Sequence, residues 1–149
     1  MNTNKKTTAM KGTKILLSLL WVFLSVNYIF CDLRNYMEPG VLQEIMTGYV
    51  AGGDVQITQE FLLVTAMIME IPFAMIVLSW VLKYRANRWA NIIAGAIMVV
   101  FQISSLFMGT PSLQYLFYST MEIAGLLLIL WTAWKWSNHE AGLGPIQTE

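Results

Sequence analysis

The chain has 149 residues, enough for one domain; 56% of them are hydrophobic and only 12% are charged. A soluble domain carries about 25% charged residues, so this composition cannot cover a water-soluble globule and requires a non-aqueous solvent. Nine basic and nine acidic side chains cancel, leaving no overall charge to attract nucleic acid. A single cysteine, Cys31, excludes an intramolecular disulfide and a dithiol redox centre, and a single histidine, His139, excludes a haem held between two histidines of one chain.

The first element is the apolar run at about 15–33, "ILLSLLWVFLSVNYIFCDL", preceded by Lys5, Lys6, Lys11 and Lys14. No small-residue cleavage site follows it, and bulky Phe30 before Cys31 does not suit a lipoprotein signal, so an uncleaved helix is expected. Next, Glu38-Pro39 reads as a helix start, and Val41, Leu42, Ile45, Met46, Tyr49 and Val50 fall on one stripe at 3.6 spacing up to Gly52-Gly53. This predicts a short amphipathic helix at about 39–51 that lies on the membrane or caps the bundle. Apolar runs at about 59–82, 89–108 and 113–134 follow, each near the ~20 residues a helix needs to span a bilayer. Thr58 and Thr110-Pro111 read as the starts of the second and fourth spans. Small residues recur on the third span (Ala86, Ala90 and Ala94, with Asn91 and Gly95) and at Ala124-Gly125 on the fourth, marking close helix contacts. The expected fold is all-α: a single domain over 15–136, an antiparallel four-helix transmembrane bundle with a short amphipathic helix between the first and second spans. Tails at 1–14 and 137–149 flank it.

Orientation follows from the basic residues. The N-terminal lysines, the loop "KYRANR" (Lys83, Arg85, Arg88) and Lys135 lie at one end, whereas the segment after the first span has only Arg34 against five acids. Both termini are therefore expected in the cytoplasm. All six tryptophans lie toward that half, and five of the six tyrosines toward the other.

The polar residues within the spans are the candidate site. Glu70 and Glu122 each sit roughly 15–18 Å deep, counted at 1.5 Å per residue on helices that run inward. Gln102, Asn27, Tyr28 and Asp32 lie nearer the outer ends of the first and third spans. An intramembrane acid costs at least ~2.5–3.5 kcal/mol on insertion scales. No Lys, Arg or His lies mid-span to pair with either glutamate, so at least one of them is expected to hold a proton at rest. Pro72, two residues after Glu70, removes the hydrogen bond to the Ile68 carbonyl and makes room beside it. Together these residues predict a pocket open to the outside and closed by tryptophans and lysines on the inside, with Glu70 and Glu122 facing each other across it. No spacing suits a metal, and no cofactor is implied.

At "NYIFCD", "MEIPF" and "ANRWANIIAG" the chain resembles a family of small bacterial four-helix membrane proteins of unknown function, DoxX-like in layout. The resemblance covers roughly 12–136 and implies a four-helix bundle of the bacterial cytoplasmic membrane with both ends in the cytoplasm. It brings no catalytic residues. The expected function is binding of a small lipophilic or cationic molecule in the outward pocket, with proton-coupled transport if the pocket also opens inward. A membrane-embedded acid/base enzyme such as a lipid isomerase, and a non-catalytic subunit of a membrane complex, are the alternatives. Membrane lipids are the expected surroundings, no nucleic acid is expected, and a homo-oligomer is compatible with all three readings.

Overall fold

The computed structural model describes residues 3–50 and 52–136; His139 and the tail at 137–149 lie outside the described residues. Its elements are α1 (Thr3–Asn35), α2 (Val41–Met46), β1 (Tyr49–Val50), β2 (Val55–Gln56), α3 (Gln59–Val81), α4 (Tyr84–Ser105) and α5 (Leu113–Lys135). Four of these are long and apolar enough to cross a bilayer: Met10–Asn35 of α1, α3, α4 and α5. The all-α antiparallel bundle is therefore what the composition demands, and the chain is a multi-pass membrane protein by the length and hydropathy of its helices. Around the bundle the order is α1, α3, α4, α5. Helix α1 packs closely on α3 and α5, α4 packs closely on α5 and more loosely on α3, and α3 and α5 stand on a diagonal.

The two ends differ. At the loop end the chain turns through α2, the small hairpin and the α4–α5 connection; at the basic end α3 passes to α4 through Leu82 and Lys83 alone. The fully buried side chains crowd toward the basic half: Leu17, Trp21 and Leu24 of α1, Met98 of α4, Leu126 and Ile129 of α5, and Trp136. The glycines marked by their spacing sit where helix backbones meet. A Cβ on Gly95 would come within 3.0 Å of Leu130 Cδ2, and one on Gly125 within 3.0 Å of Leu24 Cδ2.

Several boundaries differ from the sequence reading. Helix α1 reaches back to Thr3, well before residue 15. Helix α4 starts at Tyr84, because a two-residue turn suffices between antiparallel helices, and it stops at Ser105. The fourth span is capped by Ser112, whose hydroxyl accepts from the Tyr115 N–H at 3.3 Å, two residues after the expected start. Thr58 caps α3 as expected, accepting from the Phe61 N–H at 3.1 Å.

The amphipathic helix at 39–51 is cut short. Helix α2 has six residues and starts after Gly40, and Gly48 at φ 86° ends the helical path. Tyr49 and Val50, expected on the helical stripe, instead pair with Gln56 and Val55 in an antiparallel hairpin. Gly52 and Gly53 adopt positive φ (74° and 88°), which glycine reaches without steric penalty and which the turn requires. The Glu44 carboxylate accepts from the Gly53 N–H at 2.7 Å and ties the hairpin to α2. Together they form a roof over the loop end.

Candidate functional site

The basic end is sealed by side chains that satisfy helix termini. A helix leaves its last four carbonyls without donors of their own. For α3, the Ser79 carbonyl accepts from Asn87 Nδ2 at 2.6 Å, and the Trp80 and Leu82 carbonyls accept from Lys14 Nζ at 3.0 and 2.7 Å. For α5, the Ala133 and Trp134 carbonyls accept from Arg88 Nε and Nη2 at 3.1 and 3.0 Å, and the Trp136 carbonyl from the Tyr84 hydroxyl at 2.7 Å. Cations at helix C-termini also complement the macrodipole. Beneath this layer, Asn91 Nδ2 donates to Asn87 Oδ1 at 2.7 Å, and Trp21 Nε1 donates to Asn91 Oδ1 at 2.7 Å; all three residues are fully buried. Tyr84 packs edge-on against Trp136, with ring centroids 5.1 Å apart. Trp21 and Trp136 thus belong to the core, whereas Trp80, Trp89, Trp131 and Trp134 are exposed in the belt that interfacial tryptophans form.

The loop end is hollow. A cavity of about 810 Å³ lies under the roof, lined in part by α3 and α4, the neighbouring helices that pack most loosely on each other. Asp32 of α1, Glu38, and Glu44 of α2 supply its acids; Tyr36, Phe61, Phe101 and Tyr115 supply aromatic surface. Among the described residues its lining contains no Lys, Arg or His. A second recess of about 120 Å³ lies deeper, lined by Ser25, Tyr28, Ile29, Asp32, Met69, Pro72 and Phe73. Asp32 and Met69 line both spaces and therefore mark where one adjoins the other. Pro72 is fully buried at the wall of the recess, whereas Glu70, beside which room was expected, lines neither space.

Glu122 of α5 lines neither space and is 1% exposed. It is within electrostatic reach of Asp32, Tyr28, Cys31 and Tyr115. Its Oε1 and the Tyr28 hydroxyl are both buried without a hydrogen-bond partner among the described residues. Buried polar atoms are almost always paired, so two orphans near one another mark a place that protein atoms alone do not complete. A polar track leads there from the cavity wall. The Tyr115 hydroxyl donates to Ser105 Oγ at 2.7 Å, Ser105 Oγ donates to the Gln102 carbonyl at 2.8 Å, and Gln102 Nε2 donates to Ser119 Oγ at 3.0 Å, one turn before Glu122.

Of the six residues singled out in the sequence, Tyr28, Asp32 and Glu122 gather at this site, and Gln102 joins them through Ser119. Asn27 does not: its Nδ2 is spent on the Phe23 carbonyl of its own helix at 2.8 Å, and it lines neither space. Glu70 does not face Glu122. It is exposed on the surface of α3, and α3 and α5 are diagonal in the bundle. A position along a helix says nothing of rotation about the helix axis. The acid that acts on Glu122 electrostatically is Asp32, which the sequence places nearer the outer end of the first span. Ser105, Tyr115 and Ser119 were missed, since a hydroxyl within an apolar span carries no distinctive spacing. Glu38 and Glu44 belong to the segment expected to lie on the membrane or cap the bundle, and the fold makes both of them part of the cavity lining. Among the described residues no three of His, Cys, Asp and Glu converge as a metal site would require.

No curated protein and no solved structure matches the chain. Residues 7–142, nearly the whole of the bundle and its approaches, match the family of unknown function DUF6326, and the chain belongs to that family.

Proposed function

We propose that this protein binds a small lipophilic cation in the cavity beneath its α2–hairpin roof. The observation that carries the reading is the lining: three carboxylates and four aromatic rings around about 810 Å³, with no basic side chain among the described residues. Aromatic faces and carboxylates together suit an organic cation, through cation–π attraction and direct charge pairing. Asp32 stands at the passage to the inner recess and takes the cationic centre; the recess beside Tyr28 and Pro72 takes an apolar arm. Glu122, within electrostatic reach of Asp32, senses the same charge. Protonating these acids removes the attraction, so proton and ligand compete, as a proton-coupled carrier would need.

The bundle is proposed to sit in a bacterial cytoplasmic membrane, DoxX-like in layout, with its basic end inward and the cavity outward. The distribution of Lys and Arg supports this orientation. The test uses the full chain in detergent with dodecyltrimethylammonium as probe and a neutral amphiphile of the same chain length as control. Saturable binding of the cation is expected, weakening as pH falls and at least about tenfold weaker in Asp32→Asn, the loss of one desolvated charge partner. Equal binding of the neutral amphiphile, or an unchanged affinity in Asp32→Asn, overturns the reading.

A further inference from the structure

The strongest unexplained feature lies outside the cavity. Glu70 is the twelfth of the 23 residues of α3, at the middle of the span, and it is exposed. Among the described residues it has no hydrogen bond or ion pair. A carboxyl group turned to acyl chains at that depth is costly, and intramembrane acids regularly face protein or water instead. Neither end of the span is within reach of so short a side chain. Helix α3 is also the least covered of the four spans: 11% of its apolar stretch is buried, against 28–39% for the others. Around Glu70 on this face lie Leu63, Met67 and Val77, all exposed, with Ala66 and Ala74 one turn to either side. Small residues one turn before and after a polar group allow two helices to approach closely enough for that group to bond across the contact.

We propose that two copies of the chain pair through this face of α3, about a two-fold axis along the membrane normal, with their Glu70 carboxyls hydrogen-bonded to each other. A carboxylic acid is both donor and acceptor, so it is its own complement and needs no basic partner. The two-fold axis supplies the remaining requirement. Copies inserted in the same direction present Glu70 at identical depth, and an isologous contact brings each residue of the face against the same face of its mate. A lysine- or arginine-bearing partner of another kind would have to match this depth by coincidence. Of the residues named on this face only Ala66 also lines the cavity, and Glu70, Leu63, Met67, Ala74 and Val77 do not, so the pairing stands apart from the ligand-binding reading.

The test is subunit counting. Full chains carrying one fluorophore on an appended tag are reconstituted into phosphatidylcholine–phosphatidylglycerol vesicles over a range of protein-to-lipid ratios and bleached singly. Two-step bleaching is expected, rising with protein density. Glu70→Leu, which places an apolar group on an already exposed position and so spares the fold, is expected to weaken association at least about tenfold, the worth of one to two interhelical hydrogen bonds. Glu70→Gln, whose amide also donates and accepts, is expected to retain most of it. In a Cys31→Ser background, Met67→Cys or Ala74→Cys is expected to cross-link between copies, and Ile97→Cys and Leu127→Cys, at exposed positions on other helices, are not. One-step bleaching at every density, an unchanged dimer fraction in Glu70→Leu, or equal cross-linking at the control positions overturns the proposal.

Discussion

Replacing Glu122 by methionine separates a functional acid from a structural one. The side chain is 1% exposed, and Oε1 has no partner among the described residues. A buried polar atom left unpaired costs about 1–3 kcal/mol relative to its hydrated state. In a chain unfolded by dodecyl sulfate the helix lies at the micelle surface and the carboxyl is hydrated, so that cost falls on the folded form. Methionine fills nearly the same volume without the polar atoms and repacks flexibly beside Tyr28 and Leu126. Glu122→Met is therefore expected to stabilise the bundle by about 1–3 kcal/mol while weakening cation binding. The assay is equilibrium unfolding in mixed micelles with increasing mole fraction of dodecyl sulfate, followed by far-ultraviolet circular dichroism. A ligand-binding acid is held at the expense of stability, as functional sites often are. A loss of more than about 1 kcal/mol in Glu122→Met, in the range of an interhelical hydrogen bond, would show instead that Glu122 holds helices together, and the reasoning about the orphaned atoms would be refuted.

Other residues should behave in the opposite way. Asn87→Ala orphans the buried Ser79 carbonyl and removes an acceptor of Asn91, so a loss of about 2–3 kcal/mol is expected in the same unfolding assay. Arg88→Lys exchanges a fork that reaches two α5 carbonyls for a single ammonium, and should cost about 0.5–1 kcal/mol, read as earlier exchange of amides in the last turn of α5. Gly125→Val forces a branched side chain against Leu24 and Phe23, where a single Cβ would already stand at 3.0 and 3.3 Å, and about 1–3 kcal/mol of destabilisation is expected.

Much of this architecture was legible in the sequence because lipid restricts the choices. With backbone groups required to pair within each segment, four long apolar runs can only be helices, and the caps at Thr58 and near Thr110-Pro111 fell within two residues. Of the tryptophans and lysines expected at the inner end, Trp21 and Trp136 are buried and Lys14 bonds the end of α3, whereas the other four tryptophans are exposed. The partners were not legible, since Asn87, Asn91 and Arg88 act on carbonyls far away in the chain and the loop "KYRANR" reads equally well as free positive charge. The hairpin escaped notice because Tyr49 and Val50 continue the helical stripe of α2, and only the positive φ at Gly48 shows the path breaking there. Glu70 was misplaced for a related reason. On a helix that is apolar all round, no amphipathic contrast indicates which side faces the bundle, so the proline beside it was taken as a pointer inward for both residues; Pro72 is buried and Glu70 is not.

The contrast between the two ends bears on what the bundle can do. Opening the basic end would release the bonds from Lys14 and Asn87 to α3 and from Arg88 and Tyr84 to α5 at once, and would expose Trp21 and Trp136. The Ser79 and Trp136 carbonyls, whose bonds are buried, would need water in a layer now filled by core side chains. At the loop end, by contrast, the roof consists of a six-residue helix and a two-residue ladder, tied to each other through Glu44 and Gly53, over the cavity between the loosely packed α3 and α4. A movement of the roof costs little, and one of the seal costs several bonds together. This asymmetry favours one-sided capture of the ligand over alternating access within a single chain. It also places the burden of any transport on a second event strong enough to break the seal, such as charge compensation at Asp32 and Glu122 when ligand and proton exchange.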